Sequence, residues 1–172
     1  MKRTLATPRL ELRPFAAGDG DDLHAMDGDD RVMRYLARGL VGRTRAESDQ
    51  ALARIVLYTR GHPGFGLWHA RRRDDGAFVG GCGLYPLGDT GDVEIAYRLP
   101  VACWGRGYAT EMARAVVDFG LDDLGLPKVV GVAWPENVES QRVLRKIGMR
   151  EQQSATHYGR TMHVFSAERP SQ

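Results

Sequence analysis

The sequence lacks several features that mark whole classes of protein. It has only two cysteines in 172 residues, Cys82 and Cys103, which form neither a disulfide framework nor a metal-ligand spacing. No run of about 18 or more apolar residues occurs, so no membrane-spanning helix and no membrane partner are expected. A net charge of only +2 gives no reason to expect nucleic acid as a partner.

Motifs for several kinds of catalysis are also absent. The chain has no GxxxxGK stretch followed by Ser or Thr, no third glycine after Gly105 and Gly107, no GxSxG elbow and no HExxH helix. These absences count against an NTPase, a dinucleotide-binding enzyme and hydrolases built on the last two motifs, and no metal is expected. The first residues lack the apolar core of a signal peptide, so a cytoplasmic protein is the expectation.

The composition is that of an ordinary globular protein, with 42% hydrophobic and 27% charged residues. One domain is predicted over residues 7–168, with tails at 1–6 and 169–172. Thr44 and Glu47 have the spacing of a capping box, which predicts the start of a helix.

Hydrophobic periodicity predicts the remaining elements. The expected strands lie at residues 10–14, 65–72, 78–85, 93–99, 128–133, 149–154 and 156–167. The expected helices lie at residues 21–27, 32–36, 45–61, 109–124 and 138–147. Three glycines within one strand, Gly80, Gly81 and Gly83, indicate a bulge or a closely packed neighbour. Short turns join the first-half strands into an antiparallel meander, so the fold class is mixed α/β (α+β).

The chain is organised around Glu94 to Thr110, which reads EIAYRLPVACWGRGYAT. A strand here runs through a glycine turn directly into an amphipathic helix. Backbone N–H groups at a helix N-terminus lack intrahelical partners and carry partial positive charge, and glycine lets a phosphate approach them closely. The turn therefore indicates a site for a phosphorylated cofactor. The alternative is an ordinary glycine entry to a helix.

The whole pattern resembles the GNAT superfamily of acyl-CoA-dependent N-acyltransferases, in particular the branch of ribosomal-protein N-terminal acetyltransferases. Four segments carry the resemblance in order: TPRLELRPF, GFGLWHA…GAFVGGCGLYPL, DVEIAYRL…WGRGYATEMARAVVDF and WPENVESQRVLRKIGM. The third contains the family's phosphate-loop pattern, Gln/Arg-x-x-Gly-x-Gly/Ala, as WGRGYA. Trp104 departs from the pattern at its first position, where this branch commonly has tryptophan.

The resemblance implies acetyl-CoA as co-substrate and a sheet of about 6–7 mostly antiparallel strands with about 4–5 helices. The central strand pair of such a sheet is splayed, here between 93–99 and 128–133. By position, the pantetheine arm would pair with the backbone of Tyr97, Arg98 and Leu99. The pyrophosphate would bind the backbone amides of Gly105, Arg106, Gly107, Tyr108, Ala109 and Thr110.

The resemblance also suggests candidate catalytic residues. Glu94 matches a glutamate of this branch and is the candidate base that takes a proton from the amine, directly or through water. The alternatives are a solvated glutamate or an ion-pair partner for Arg98. The tyrosine that protonates the departing thiolate in many GNAT enzymes is missing, because its position holds Leu144. Ser140 is the candidate in its place, as this branch often has serine there. Asn137 is either a helix cap or a pantetheine ligand, and one side chain can be both.

The predicted function is transfer of an acetyl group from acetyl-CoA to a primary amine, either a protein N-terminus or a small molecule, without a covalent enzyme intermediate. The alternative is a regulatory module that binds CoA on the same fold with weak or lost chemistry. The acceptor, the use of longer acyl groups and the presence of a homodimer stay open at this point.

Overall fold

A mostly antiparallel sheet forms the centre of the computed structural model, which describes residues 4–36 and 41–169. Its strands are β1 Leu5–Ala6, β2 Leu10–Pro14, β3 Gly66–Arg72, β4 Phe78–Pro86, β5 Val93–Arg98, β6 Lys128–Ala133, β7 Arg150–Glu151, β8 Ala155–His157 and β9 Arg160–Glu168. They lie in the order β1-β2-β3-β4-β5-β6-β9-β7, and β8 pairs with β9. The nine strands exceed the seven predicted from the sequence by two, because β1 was not predicted and the last predicted strand is divided into β8 and β9.

Helices pack on both faces of the sheet. They are α1 Gly20–Asp27, α2 Asp30–Met33, α3 Arg45–Gly61, α4 Tyr108–Asp118 and α5 Val138–Lys146. The predicted capping box is confirmed, since the Thr44 side chain accepts from the Glu47 amide and the Glu47 side chain accepts from the Thr44 amide. Helix α4 is shorter than predicted, because a π turn at Phe119–Asp123 follows it. Among the described residues, no helix is long and apolar enough to cross a membrane.

Two apolar cores lie on opposite faces of the sheet. Trp68 and Leu67 are neighbours on β3 and point to opposite faces, and they belong to different cores. The larger core contains Met112 and Val116 of α4, and the smaller contains Leu23 of α1. Strand β5 is therefore covered on both faces, and its side chains point alternately toward the side of the larger core and the side of the smaller core.

The glycines of β4 allow the neighbouring strands β3 and β5 to approach its backbone closely. A Cβ atom on Gly83 would lie 1.9 Å from the carbonyl oxygen of Gly66 on β3. Gly80 has a φ of 151° beside the irregularity between Ala70 and Arg71 on β3, and a Cβ there would lie 2.6 Å from the Arg98 carbonyl oxygen. The predicted bulge and closely packed neighbour are confirmed, and both bring the end of β5 close to β4.

The prediction of a single strand over 156–167 is wrong. Tyr158 and Gly159 have positive φ values of 53° and 76°, so the chain reverses in a two-residue turn between β8 and β9. Glycine readily adopts this conformation, and such turns match the natural twist of paired strands. The predicted strand at 149–154 is reduced to Arg150–Glu151.

Candidate active site

A fork opens between the central strands β5 and β6. Strand β4 pairs with β5 along its whole length, from Val93 to Arg98. On the other side, the parallel pairing with β6 consists of one position, Glu94 opposite Val130. Beyond Glu94 the edge of β5 that faces β6 has no strand partner in the described structure. Buried backbone groups need hydrogen bonds, so this edge is suited to an extended ligand.

Next to the fork, the glycine turn enters α4. Gly105 and Gly107 adopt the left-handed conformation, with φ values of 71° and 78°, and Gly107 is the N-cap residue without a side-chain cap. Within the described ranges, the amides of residues 105–110 donate to no acceptor. An uncapped helix start with a partial positive charge can bind an anion. The turn and the fork thus fit the phosphate and pantetheine ends of one molecule, as acetyl-CoA requires.

Trp104 joins the turn to the fork. Its indole Nε1 donates to the carbonyl oxygen of Leu99 at 2.9 Å, just past the end of β5. The Leu99 side chain is buried in the larger core. Leu99 is one of the residues predicted to pair with the pantetheine through its backbone. Its carbonyl oxygen already accepts this hydrogen bond, while its amide remains available. The tryptophan at the first position of the loop pattern thus anchors the loop to the strand end.

Residues near the N-terminus hold the turn from the other side. The Arg9 guanidinium donates to the Arg106 carbonyl at 3.0 Å, lies 4.7 Å from the centre of the Tyr108 ring, and bonds Glu111 at 2.6 Å. Burial opposes the ionisation of Glu111, but hydrogen bonds from Thr7 and Arg9 outweigh it and lower the pKa of that carboxyl. None of these bonds uses the loop amides, so the loop is fixed while its donors stay free.

We expect Gly105→Ala to weaken CoA binding by about tenfold or more, because the phosphate relies on close backbone approach. The matched control is Gly76→Ala in the β3–β4 turn. Gly76 has a φ of 74° against 71° for Gly105, and a Cβ at either position would meet no atom within 4 Å. Both variants should lose similar stability, about 1 kcal/mol. Calorimetric titration with CoA checks the difference, and equal affinity for both variants would contradict a phosphate role for the turn.

Glu94 lies at the fork itself. The Tyr158 hydroxyl, at the tip of the β8–β9 hairpin, donates a hydrogen bond to its Oε1 atom. Burial raises the pKa of Glu94, and the hydrogen bond from Tyr158 opposes this in part. The alternative of an ion pair with Arg98 is wrong, because the Arg98 guanidinium binds Asp27 of α1 at 2.7 Å. A carboxyl with a raised pKa beside an open strand edge suits a proton acceptor.

The Asp27 carboxylate is completely buried and binds two arginines. Arg98 contributes two hydrogen bonds to it, at 2.7 and 3.1 Å, and Arg43 pairs with its Oδ2 atom. The exposed fractions of the two arginine side chains are 14% and 24%. This three-residue ion cluster ties the end of β5 to α1 and to the segment before α3. The side chain of Arg98 is thereby occupied, which leaves only its backbone for the predicted cofactor contact.

On the opposite face of β5, the Tyr97 hydroxyl reaches Ser140 at the start of α5. It lies 2.9 Å from the Ser140 hydroxyl and 3.1 Å from the Ser140 carbonyl oxygen. Asn137 caps α5 by accepting from the Ser140 amide at 3.2 Å, which confirms its capping role. Leu144, at the position where the resemblance implied a tyrosine, is buried against Gly131. Ser140 is thus held by both its backbone and its side chain.

The sequence patterns did not reveal which residues the β8–β9 hairpin contacts. Besides Tyr158 at Glu94, this hairpin carries Arg160, whose guanidinium lies 3.8 Å from the centre of the Trp134 ring. Trp134 follows β6, is 8% exposed, and its Nε1 has no hydrogen-bond acceptor among the described residues. The Tyr-Gly pair between two alternating runs was the available signal, since glycine in a two-residue loop favours a hairpin.

The fork, the uncapped helix start and the half-buried carboxyl of Glu94 define a CoA-dependent acyltransferase fold. The family model described as acetyltransferase (GNAT) domain matches residues 9–150, and the chain belongs to that family. This confirms the resemblance seen in the sequence and identifies the chain as an acetyltransferase whose fold binds acetyl-CoA.

Individual relatives match most of the chain. The chain is 32% identical over 170 residues to the uncharacterized protein YkkB of Bacillus subtilis, covering 96% of this chain and 91% of that protein. It is 32% identical over 154 residues to the FsC-acetyl coenzyme A-N(2)-transacetylase of Aspergillus fumigatus, covering 85% of this chain and 64% of that protein.

A solved structure shares the fold along nearly the whole chain. The RimL ribosomal L7/L12 alpha-N-protein acetyltransferase, in complex with coenzyme A, superposes with a TM-score of 0.80 at 13% identity. The match covers 96% of this chain and 98% of that one. At this identity the likeness is one of fold.

Proposed function

We propose that this chain transfers the acetyl group of acetyl-CoA directly to a primary amine, with Glu94 as the base. The fork at Glu94 and Val130 carries the proposal, because it places a half-buried carboxyl at the mouth of an unpaired strand edge, beside a glycine turn with free amides. Acetyl-CoA, when bound, supplies the activated thioester. The chain must hold that thioester, accept a proton and stabilise the departing sulfur.

Binding is divided between backbone and side chains. The free amides of residues 105–110 would hold the pyrophosphate, and the backbone of residues 97–99 would pair with the pantetheine. Asn137, at the facing end of α5, would add a side-chain contact. An amide near the fork would also polarise the carbonyl of the thioester.

The acceptor amine must be neutral to react, and a typical amine is mostly protonated near neutral pH. Burial raises the pKa of Glu94 toward that range, which favours proton transfer to it from the amine. Ser140 contacts Tyr97, whose side chain lies on the other face of β5 and whose backbone is three residues, or about 10 Å, along the strand from Glu94. Proton removal from nitrogen and stabilisation of sulfur would thus occur on opposite sides of one strand.

The acceptor would enter beneath the β8–β9 hairpin, which brings Tyr158 to Glu94 and Arg160 to Trp134. The buried Trp134 Nε1, which lacks a partner among the described residues, suits an acceptor with a carbonyl near its amine. The names of the relatives cover both acceptor types, an N(2) position and a protein α-amine. A protein N-terminus and a small-molecule amine are therefore the two acceptor classes to compare.

The test is release of free CoA thiol from acetyl-CoA across an amine panel, with each product identified by mass. The panel pairs peptides with free N-termini against alkylamines of similar basicity. Wild-type turnover on at least one amine, lost in Glu94→Gln, is the expected result. If acetyl-CoA binds but no amine is acetylated, the proposal fails in favour of a regulatory CoA-binding module.

A further inference from the structure

The side chain of Tyr97 crosses from β5 to α5 beside the fork. Its hydroxyl is within hydrogen-bonding distance of two atoms of Ser140, Oγ at 2.9 Å and the carbonyl oxygen at 3.1 Å. The Ser140 amide is already bonded to Asn137. The phenol therefore fixes the remaining polar groups of one serine, the residue placed above as the donor to the leaving sulfur.

The three oxygens of this group share only two hydroxyl protons, so the two hydroxyls can hydrogen-bond to each other in two arrangements. In the first, Tyr97 donates to the Ser140 carbonyl and Ser140 Oγ donates to the Tyr97 oxygen. In the second, Tyr97 donates to Ser140 Oγ, and the serine proton is free to point elsewhere. Rotation about two C–O bonds interconverts them without moving a heavy atom.

We infer that Tyr97 is a positioning residue that turns the Ser140 hydroxyl toward the CoA sulfur as negative charge develops there. The inference rests on the proposed function. It assigns to Tyr97 a side-chain role in addition to its predicted backbone contact with the pantetheine. The phenol thereby substitutes in part for the tyrosine that Leu144 replaces, but from a strand instead of a helix.

The step balances in atoms and charge. The nitrogen–carbon bond forms, the carbon–sulfur bond breaks, and its electron pair goes to sulfur. Ser140 donates a hydrogen bond to this thiolate and Tyr97 donates one to Ser140, while both oxygens keep their protons. The thiolate takes its proton from water, and the proton that the amine gave to Glu94 is released to water.

The surroundings favour a hydrogen-bonding phenol over an ionised one. Burial raises the pKa of Tyr97, against a smaller opposing effect from its bond to Ser140. The nearby Cys82 is completely buried, and that burial raises the pKa of its thiol, so it adds no charge. A hydroxyl that keeps its proton and is fixed by a rigid ring on β5 can polarise the serine at little entropic cost.

The first test is a double-mutant cycle with Tyr97→Phe, Ser140→Ala and the double variant. We expect Tyr97→Phe to lower kcat roughly fivefold to tenfold, the effect of one hydrogen bond, with little change in KM for acetyl-CoA. The double variant should then be no slower than Ser140→Ala. The inference would be overturned if the kcat losses of the two single variants multiplied in the double variant. It would also be overturned if Tyr97→Phe were as fast as wild type. Tyr58→Phe, on α3 and stacked on His62, removes a phenol oxygen outside the site and should have no effect.

The second test does not depend on turnover. The thiol of CoA bound to each variant is titrated by the ultraviolet absorbance of its thiolate. We expect the bound thiol in Tyr97→Phe to have a pKa higher by roughly half to one unit than in wild type. An unchanged thiol pKa would overturn the inference even if an amine is acetylated. A shifted pKa without turnover on any amine would support the role of Tyr97 and reject the proposed function.

Discussion

Replacement of Glu94 by glutamine is expected to lower kcat for amine acetylation by about a hundredfold to a thousandfold. General bases contribute about 10²–10⁴-fold to catalysis, and glutamine keeps the size of the side chain but cannot accept a proton. The KM for acetyl-CoA should change little, because the proposed cofactor contacts lie in the backbone of β5 and of the glycine turn. Steady-state kinetics with an amine found by the panel measures both constants.

The stability of the same variant separates this result from misfolding. Because burial raises the pKa of Glu94 in the folded state, ionisation of the carboxylate costs stability as pH rises through that pKa. Glutamine carries no such cost, so Glu94→Gln should be at least as stable as wild type at neutral pH. This advantage should shrink as pH falls through the raised pKa. An inactive variant that is also less stable at neutral pH would contradict the assignment.

The pH profile provides a further check on the base. Activity should fall on the acid side with an apparent pKa above that of an ordinary glutamate, since burial raises it. Tyr158→Phe removes the hydrogen bond that opposes this shift, so the acid limb should move to still higher pH. If the acid limb of Tyr158→Phe moved to lower pH, Glu94 would not be the base. The same conclusion would follow if Glu94→Gln had the rate of wild type at every pH.

Replacement of Asp27 by alanine is expected to destabilise the fold by about 3–5 kcal/mol. This is the usual result of removing one partner from a buried ion cluster, because the remaining charges stay buried without compensation. Here Arg98 and Arg43 would both lose their carboxylate, and the side chains of both are mostly buried. Such a loss is a large part of the stability of a typical domain. Urea unfolding at neutral pH measures it.

Asp21→Ala provides the matched control on the same helix. Asp21 pairs with Arg45, but its side chain is 90% exposed, so its removal should change stability far less than that of Asp27. The Asp27 variant should also bind CoA more weakly, because Arg98 no longer ties the end of β5 to α1. Equal unfolding free energies for the two variants would show that the buried cluster does not hold this strand.

Local patterns predicted most of the fold. Thr44 and Glu47 fixed the start of α3, and the bounds of β6 at Lys128–Ala133 match the prediction residue for residue. These elements depend on neighbours in the chain, through capping and apolar periodicity. The turn at Tyr158 was included in a continuous strand because alternation continued across it, and a turn is decided by backbone φ rather than by apolar pattern.

In the candidate site, too, local features could be predicted from the sequence and long-range contacts could not. Gly105 and Gly107 could be located from the sequence, because a glycine turn before a helix is a local feature. The partners of Glu94, Arg98 and Tyr97 could not, because each lies at least 43 residues away along the chain. The alternation of β5 placed Glu94 and Tyr97 on opposite faces but could not show what packs on each face.

The sequence by itself therefore determined the family, the order of elements, the glycine turn before α4 and the candidate residues. The resemblance also implied that β5 and β6 are splayed. Only the tertiary structure decided that their pairing is limited to one position, that Arg98 pairs with Asp27, and that two tyrosines reach Glu94 and Ser140. The reason is physical. Periodicity and turn chemistry act over a few residues, whereas burial and hydrogen-bond partners depend on segments that meet only when the sheet and its helices pack.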